Sequence, residues 1–212
     1  MPGKTDLKKT LDCYRAGAAL RVVEVPDLRY LMVDGHGDPN TSTEYTEALK
    51  ALYPLAYAIK AASKQELGRD YVVPPLEGLW WSDDMAAFTS RRNKSQWDWT
   101  MMLMVPEWIS EQTYEAALRK VTSKSADARL QDVRRETLSE GLCVQVLHHG
   151  AYDDEAAVLD RMHNEFIPKN GLTMTGKHHE IYLSDPRRTA AEKLRTILRQ
   201  PVTRAPASGT DW

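Results

Sequence analysis

The apolar positions of this chain change period several times along its length, which predicts alternating strands and helices. Residues 28–33 have the pattern of a strand that breaks at the glycines and proline just beyond it. A helix is expected next, because Thr41 and Glu44 have the spacing of a capping box and the apolar residues after them recur on one helical face. Pro54 lies inside this pattern and is expected to kink the helix. The predicted apolar face carries Tyr45, Ala48, Leu49, Leu52, Ala56 and Ile59.

Two further strands complete the first half of the chain. One extended stretch begins at Pro74 and Pro75 and ends at Trp80 and Trp81. After a polar connection over residues 82–96, a second strand places four large apolar side chains on one face. These side chains are Trp97, Trp99, Met101 and Leu103.

A connector separates this half from the next. Residues 110–124 have the pattern of an amphipathic helix with one apolar face. The spacing of Leu130, Val133 and Leu138 suggests a further helix. We therefore expect the two halves to be joined by helices.

The second half repeats the element order of the first. Residues 142–150 predict a strand, Asp153 or Asp154 caps a helix, and residues 171–185 predict two closing strands. In both halves the first strand ends at a His-Gly pair before the helix begins, which suggests duplication of one unit. The two pairs are His36-Gly37 and His149-Gly150.

The predicted fold is a single α+β domain over residues 6–202, made of two units at about 20–105 and 141–184. Each unit would form an antiparallel sheet with a helix on one face, because such a sheet needs only one face covered. A ligand groove would then occupy the opposite face. Residues 203–212 contain proline and glycine without periodicity and predict a disordered tail.

Composition limits the function classes. The chain has 212 residues, 42% of them hydrophobic, and a net charge of −2. No apolar run approaches the roughly 18 residues of a membrane helix and no signal peptide is visible, so we expect a cytoplasmic protein that does not bind membranes. A near-neutral chain has no general attraction for nucleic acid, and the local basic cluster of Arg91, Arg92 and Lys94 is expected to be a solvated loop. Two cysteines, Cys13 and Cys143, do not make a disulfide framework.

The strand around Glu180 carries the clearest candidate chemistry. Alternation places Ile181 on one face and both Glu180 and Tyr182 on the other. If the helices cover the Ile181 face, the carboxylate and the phenol point together into the opposite concavity, where they would recognise a cation or move protons. The alternative is a strand whose outer face is simply hydrated.

Tryptophan is the second signal. Trp80, Trp81, Trp97 and Trp99 flank one loop, and indole rings near a carboxylate suit a flat, apolar or cationic ligand. Met101 would let such a pocket adapt to ligands of different shape. The alternative is that these side chains fill the core, and for one tryptophan of each pair we expect this.

Other chemistries find little support. His148-His149 and His178-His179 are adjacent on strands and point to opposite faces, so we predict neither a metal site nor a cofactor. The turn after residue 34 lacks the third glycine of a dinucleotide-binding loop, and neither a phosphate-binding loop nor a GxSxG nucleophile elbow occurs.

Five stretches together resemble the GyrI-like small-molecule-binding family, which is related to the effector-binding domains of multidrug-responsive regulators. They are PDLRYLMVDGHGDPN, VVPPLEGLWW, QWDWTMMLMVPEWI, VLHHGAYDDE and GKHHEIYLSDPRRTAAEKLRTILRQPV. The resemblance implies two strand-helix-strand-strand units in pseudo-twofold relation, with a groove between them for bulky aromatic, often cationic compounds. It also implies that Glu180 is the acidic contact in that groove.

The first functional expectation from this resemblance is binding of such compounds without turnover, as a sink or sensor. The alternative is a hydrolase, because the WW and HEIYLSDPRR motifs are similar to those of family members that open the cyclopropane of DNA-alkylating antibiotics with water. Glu180 would then orient or deprotonate the water and Tyr182 would hydrogen-bond the ligand carbonyl. The implied ligand-binding residues are Trp80, Trp81, Trp97, Trp99, Met101, Tyr152, Glu180 and Tyr182. A gyrase-like protein partner has no identifiable surface in the sequence.

Overall fold

The computed structural model describes residues 3–83, 93–125 and 128–204. In this part of the chain one antiparallel sheet contains nine strands, and helices pack against it. The strands are β1 (Arg21–Val25), β2 (Leu28–His36), β3 (Leu76–Trp81), β4 (Asp98–Val105), β5 (Arg134–Leu138), β6 (Gly141–His149), β7 (Leu172–Met174), β8 (His178–Tyr182) and β9 (Arg195–Arg204). The helices are α1 (Leu7–Thr10), α2 (Thr43–Glu66), α3 (Glu111–Thr122), α4 (Ala156–Asp160) and α5 (Ile167–Lys169), with a π-helical turn at Arg161–Phe166 between α4 and α5. The predicted α+β class is confirmed.

The strand order is β1-β6-β9-β8-β3-β4-β2-β5, with β7 added on β9. The central pair consists of β3, which follows α2, and β8, which follows the second helical segment after the short strand β7. On each side of this pair the order runs outward through the closing strand of one half to its first strand. The outermost strands are exchanged between the halves. β1, which precedes β2 in the chain, pairs with β6, and β5, which precedes β6 in the chain, pairs with β2.

The sheet curls back on itself. β1 and β2 are six positions apart in the strand order, which is about 29 Å across a flat sheet. Only Pro26 and Asp27 separate them in the chain, and that link spans at most about 11 Å. The two ends of the sheet must therefore approach each other, and the sheet encloses an interior.

Both faces of the sheet are consequently buried. Helices α2 and α3 cover the outer face of the first half, and α4, the π-turn and α5 cover that of the second. The enclosed face contains an apolar cluster with Tyr30, Met102 and Ile181. It also contains ion-paired side chains, including Glu77 and Arg199.

Within α2 the predicted start is slightly early. The helix begins at Thr43 with Ser42 in the cap position, and it continues through Pro54 to Glu66. Glu44 does not complete a capping box with Thr41; its carboxylate instead accepts a hydrogen bond from the backbone N–H of His36 at 3.4 Å. The side chain therefore ties the helix to the end of β2.

Two parts of the predicted element order are wrong. The second connector segment is not an α-helix: Ala128–Asp132 form a short 3₁₀ helix and Arg134–Leu138 form β5, because pairing with β2 outweighs the helical spacing of their apolar residues. The second unit also extends beyond residue 184, because β9 follows and pairs with both β6 and β8. Its last residues, Thr203 and Arg204, fall in the predicted tail, and residues 205–212 lie outside the described chain, as do Arg91 and Arg92.

Candidate functional site

A cavity of about 1500 Å³ lies over the central strands β3 and β8, between α2 and the helical segment that begins at Tyr152. Its lining includes residues of both halves, such as Tyr45 and Tyr53 from α2 and Glu180 and Tyr182 from β8. The cavity and the helices therefore share one face of the sheet. The prediction that the groove lies on the face opposite the helices is wrong, because the sheet curls and its Ile181 face closes on itself.

Three side chains form a hydrogen-bonded chain in this cavity. The indole Nε1 of Trp80 donates to the hydroxyl of Tyr182 at 2.9 Å, and that hydroxyl donates to Oε2 of Glu180 at 2.8 Å. Burial, followed by the nearby Glu180 carboxylate, raises the pKa of Tyr182 well above its usual value. Tyr182 therefore keeps its proton at neutral pH and directs it at Glu180.

Gly78 makes room for this chain. It pairs with Glu180 across β3 and β8, so its missing side chain would point into the same cavity. A Cβ at this position would lie 2.8 Å from Nε1 of Trp80 and 3.2 Å from the Tyr182 hydroxyl oxygen. A larger residue would therefore displace the indole from its hydrogen bond.

Aromatic rings form much of the cavity wall. Trp80 and Trp97 meet edge to face with ring centroids 5.7 Å apart, and Tyr152 and Tyr182 do the same at 5.7 Å. Burial and the carboxylates of Glu180 and Glu155 raise the pKa of Tyr152 to about 12. Both phenols are therefore neutral donors at physiological pH.

The structure brings five of the eight sequence-predicted site residues together and places three elsewhere. Trp80, Trp97, Tyr152, Glu180 and Tyr182 line the cavity. Trp81, Trp99 and Met101 are not part of its lining.

Strand geometry explains two of these three positions. Trp81 follows Trp80 on β3 and points to the other face, where the ammonium of Lys177 lies 3.1 Å from the centre of its ring. Trp99 shares the face of Trp97 but is covered by Tyr45, whose ring centroid is 5.5 Å away. The Trp99 indole lies across Gly35 and donates to the carbonyl of Gly37 at 3.2 Å.

Met101 continues the same face of β4 and is fully buried in the core beneath α2. Its thioether therefore packs against the protein interior. The alternation correctly predicts that Met101 shares a face of β4 with Trp97. It does not show how far α2 covers that face, so it does not show that Met101 is shielded from the cavity.

Sequence reasoning missed a second acid in the cavity. Glu155 is 3% exposed and lines the same space as Glu180. It belongs to the acidic segment that was assigned only to capping the second-half helix. Tyr45 was also missed, because a tyrosine on the apolar face of a helix is typical of a core residue.

Ionic contacts lie at the edges of the cavity. Nζ of Lys94 is 2.8 Å from Oδ1 of Asp153 and 6.0 Å from the ring centre of Trp97, so this lysine bridges the two halves. Asp185 pairs with Arg187 at 2.9 Å beside β8. Within the described residues, no group of three His, Cys, Asp or Glu side chains is arranged to hold a metal ion.

No helix in the described segments is long and apolar enough to cross a membrane.

The chain is similar to proteins of known structure over almost its full length. An uncharacterized conserved protein from Listeria innocua is 39% identical, with a TM-score of 0.86, over 94% of this chain and 100% of that one. A hydrolase from Listeria innocua is 38% identical, with a TM-score of 0.82, over 94% and 100% of the two chains. The C-terminal domain of EcmrR shares the fold, with a TM-score of 0.54 and 11% identity over 88% and 98%.

A comparison with curated proteins found no match. The family model described as the GyrI-like small molecule binding domain matches residues 19–203. The match spans both halves of the sheet and every residue of the Trp80–Tyr182–Glu180 chain. This protein therefore belongs to the GyrI-like small molecule binding domain family.

Proposed function

We propose that this protein is a hydrolase that binds a bulky planar small molecule in the cavity over β3 and β8 and adds water to it. The observation that carries the proposal is the Trp80–Tyr182–Glu180 hydrogen-bonded chain in an aromatic cavity. The similarity to a Listeria innocua hydrolase at 38% identity supports turnover over simple binding.

The binding step uses the aromatic wall. The cavity volume of about 1500 Å³ exceeds the roughly 300–1,000 Å³ typical of drug-sized sites, which favours a molecule with several rings. Rings packed against Trp80, Trp97 and Tyr152 would each gain about 0.5–1.5 kcal/mol beyond burial of their area. The carboxylates of Glu180 and Glu155 favour an electron-poor or cationic ring system at the same end.

The chemical step is addition of water across a strained ring. We infer that the substrate carries a cyclopropane conjugated to a carbonyl, as the family resemblance implies. The water oxygen bonds to the least substituted ring carbon and its proton passes to Glu180. The ring C–C bond breaks and its electron pair moves through the conjugated dienone ring to the carbonyl oxygen, which becomes a phenolate. The phenolate takes a proton from solvent to give the phenol, and Glu180 releases the proton from water to solvent.

The geometry changes the role expected for Tyr182. Its proton is directed at Oε2 of Glu180, so we assign Tyr182 to orienting the carboxylate and not to the ligand carbonyl. Tyr152, whose phenol stays protonated up to a pKa of about 12, is the donor we assign to that carbonyl. Tyr182 thereby restrains Glu180 through one oxygen while Glu180 acts as general base.

Turnover is the direct test. A cyclopropane-bearing antibiotic is incubated with a substoichiometric amount of protein. The products are separated and their masses are measured by mass spectrometry. Many equivalents of a product heavier by one water support the hydrolase. Unchanged antibiotic after prolonged incubation contradicts it.

Binding without turnover is the second candidate, favoured by the small-molecule-binding description of the family. In that case the antibiotic forms a one-to-one complex, detected by quenching of tryptophan fluorescence, and is recovered intact after denaturation. The same incubation therefore separates the two functions.

A further inference from the structure

A histidine lies directly beside the Glu180 carboxylate. His178 is two residues before Glu180 on β8, so both side chains point to the helix-covered face. Nε2 of His178 is 3.6 Å from Oε1 of Glu180, and the two side chains are 2% and 12% exposed. This distance is within ion-pair range and longer than a hydrogen bond, so a small movement would bring the two groups into contact.

The two oxygens of Glu180 therefore face different neighbours. Oε2 accepts the hydrogen bond from Tyr182 at 2.8 Å, and Oε1 faces His178. A carboxylate held on one oxygen still rotates about that contact. A second neighbour on the other oxygen restricts this rotation and favours one orientation toward the cavity.

A second histidine supports the first. The ring of His163 meets that of His178 edge to face, with centroids 6.2 Å apart and an interplanar angle of 81°. His163 belongs to the π-helical turn Arg161–Phe166 and also lines the cavity. Such turns are rare and frequently occur at functional sites.

His163 is suited to the role of a neutral wall. Burial, followed by the neighbouring His178, lowers its pKa to about 4, so it carries no charge at physiological pH. The His163 ring thus packs against His178 and, being uncharged, does not form an ion pair with Glu180 in its place. The titratable groups around this end of the cavity are Glu180 and Tyr182 from β8, Tyr152, Glu155 and Asp160 from the helical segment, and Tyr45 from α2.

We propose that His178 is a positioning residue that holds Glu180, together with Tyr182, in the single orientation from which it activates water, and that His163 keeps His178 in place. This inference rests on the proposed function, because orientation matters only if Glu180 acts on a bound molecule. His178 itself does not need to touch the substrate. Its effect should appear in kcat more than in KM.

The kinetic test compares His178→Ala and His178→Gln with wild type on the cyclopropane antibiotic. His178→Ala should lower kcat at least about tenfold and leave KM within about twofold, because misorientation of a catalytic group acts on the transition state. His178→Gln keeps an N–H donor and should recover most of kcat.

The matched control is His149→Gln, which changes an exposed histidine at the end of β6 and should leave both kcat and KM unchanged. Thermal unfolding of each variant shows whether it is folded, and the Gln variant provides a second measurement if the Ala variant is not. Wild-type kcat in both folded variants would overturn the inference.

A spectroscopic measurement separates this inference from the proposed function. The ¹⁵N resonance of Nε2 in His178 should move in Glu180→Gln and stay fixed in Glu47→Gln, which alters an exposed carboxylate on α2. If wild-type protein makes no product, the hydrolase proposal fails, and this signal alone decides the His178–Glu180 contact. A His178 resonance that stays at its wild-type position in Glu180→Gln overturns the inference.

Discussion

The chemistry of this cavity depends on a few residues whose positions follow from strand parity. Trp80, Gly78 and Leu76 alternate on one face of β3, opposite His178, Glu180 and Tyr182 on β8. The indole donor of Trp80, the space left by Gly78 and the carboxylate of Glu180 therefore lie together across two neighbouring strands. The smallest of these residues controls the geometry of the others.

Gly78→Ala should weaken both ligand binding and stability. The new methyl would lie 2.8 Å from Nε1 of Trp80, so the indole must leave the Tyr182 hydroxyl. We expect dye affinity to fall about tenfold and the free energy of unfolding to fall by roughly 1–3 kcal/mol, as in overpacked cores. Fluorescence titration with a cationic dye and urea unfolding measure the two quantities.

Gly17→Ala is the control for this change, because a Cβ at that position has no atom within 4 Å. It should alter neither quantity. Equal dye affinity in Gly78→Ala and wild type would show that the Trp80–Tyr182 contact is irrelevant to binding.

Tryptophan fluorescence tests which indoles face the ligand. Trp80→Phe and Trp97→Phe should each remove much of the quenching caused by a bound aromatic dye, because both rings line the cavity. Trp81→Phe should leave the quenching intact, because its ring faces Lys177 on the other side of the sheet. Loss of quenching in Trp81→Phe alone would contradict the placement of the site.

For single residues, the sequence predicts which side chains share a face of a strand better than it predicts how deeply each side chain is buried. Alternation correctly pairs Glu180 with Tyr182, but it does not distinguish Trp97 at the cavity from Trp99 beneath Tyr45. Those two indoles share a face, and the position of α2 decides which of them a ligand reaches. The assignment of all these residues to ligand binding stays a prediction until it is measured.

At the scale of elements, the enclosed face of the sheet holds a buried ionic network. His179 contacts Glu77 through Nε2 at 2.9 Å and Glu140 through Nδ1 at 2.9 Å, and Arg199 contacts Glu140 at 2.9 Å. A histidine whose two ring nitrogens both face carboxylates is held in its doubly protonated form. The carboxylates of Glu77 and Glu140 thus pair with His179 and Arg199. The hydroxyls of Tyr14 and Tyr30 also donate to Glu77.

This network gives the stability a defined pH window. The two carboxylates raise the pKa of His179 despite its burial, and His179 and Arg199 lower the pKa of Glu140 to about 2 against the cost of burial. The histidine contribution is complete below its ordinary pKa of 6.5 and is lost as pH rises through the raised value. The Glu140 contribution is complete above its ordinary pKa of 4.5 and is lost as pH falls toward 2.

We therefore expect the free energy of unfolding, measured with urea from pH 2 to 10, to be greatest near pH 5–6 and to fall on both sides. Glu140→Gln should be less stable near pH 5 and should lose less stability than wild type between pH 4.5 and pH 2. The exposed Glu47→Gln change should reproduce the wild-type curve. A Glu140→Gln curve parallel to wild type below pH 4.5 would show that this ion pair is not the source.

The same network explains why β9 was not predicted. Its enclosed side carries Arg199 and Pro201, and its outer side carries Thr196 and Gln200, so the apolar alternation of an ordinary strand is interrupted. Arg199 is buried because neighbouring groups satisfy it, such as Gln145 of β6 at 3.2 Å, and the side-chain amide of Gln200 donates to the carbonyl of Thr175 at 2.7 Å. A single sequence does not display those partners.

At the scale of the molecule, the two halves share one sheet. β1 pairs with β6 of the second half, β5 pairs with β2 of the first, and β3 and β8 join at the centre. The alternation and the His-Gly pairs predicted two similar halves, and both glycines, Gly37 and Gly150, have positive φ. The exchange of β1 and β5 was not predicted, because it depends on the curl of the sheet.

A shared sheet should unfold as one unit. Scanning calorimetry is expected to show a single transition whose van't Hoff and calorimetric enthalpies agree. A ligand in the cavity contacts both halves and should raise the midpoint of that whole transition, by about 2.7 kcal/mol of stability at 100 times its Kd. Two transitions, of which only one responds to the ligand, would contradict this account.

The most direct test of the central claim, that Glu180 activates water in this cavity, is hydrolysis of the cyclopropane antibiotic in ¹⁸O-labelled water by wild type and Glu180→Gln. Wild type should incorporate one heavy oxygen into the ring-opened product, and Glu180→Gln should bind the antibiotic but form product at least about a hundredfold more slowly. Product formation by Glu180→Gln at the wild-type rate would contradict the account.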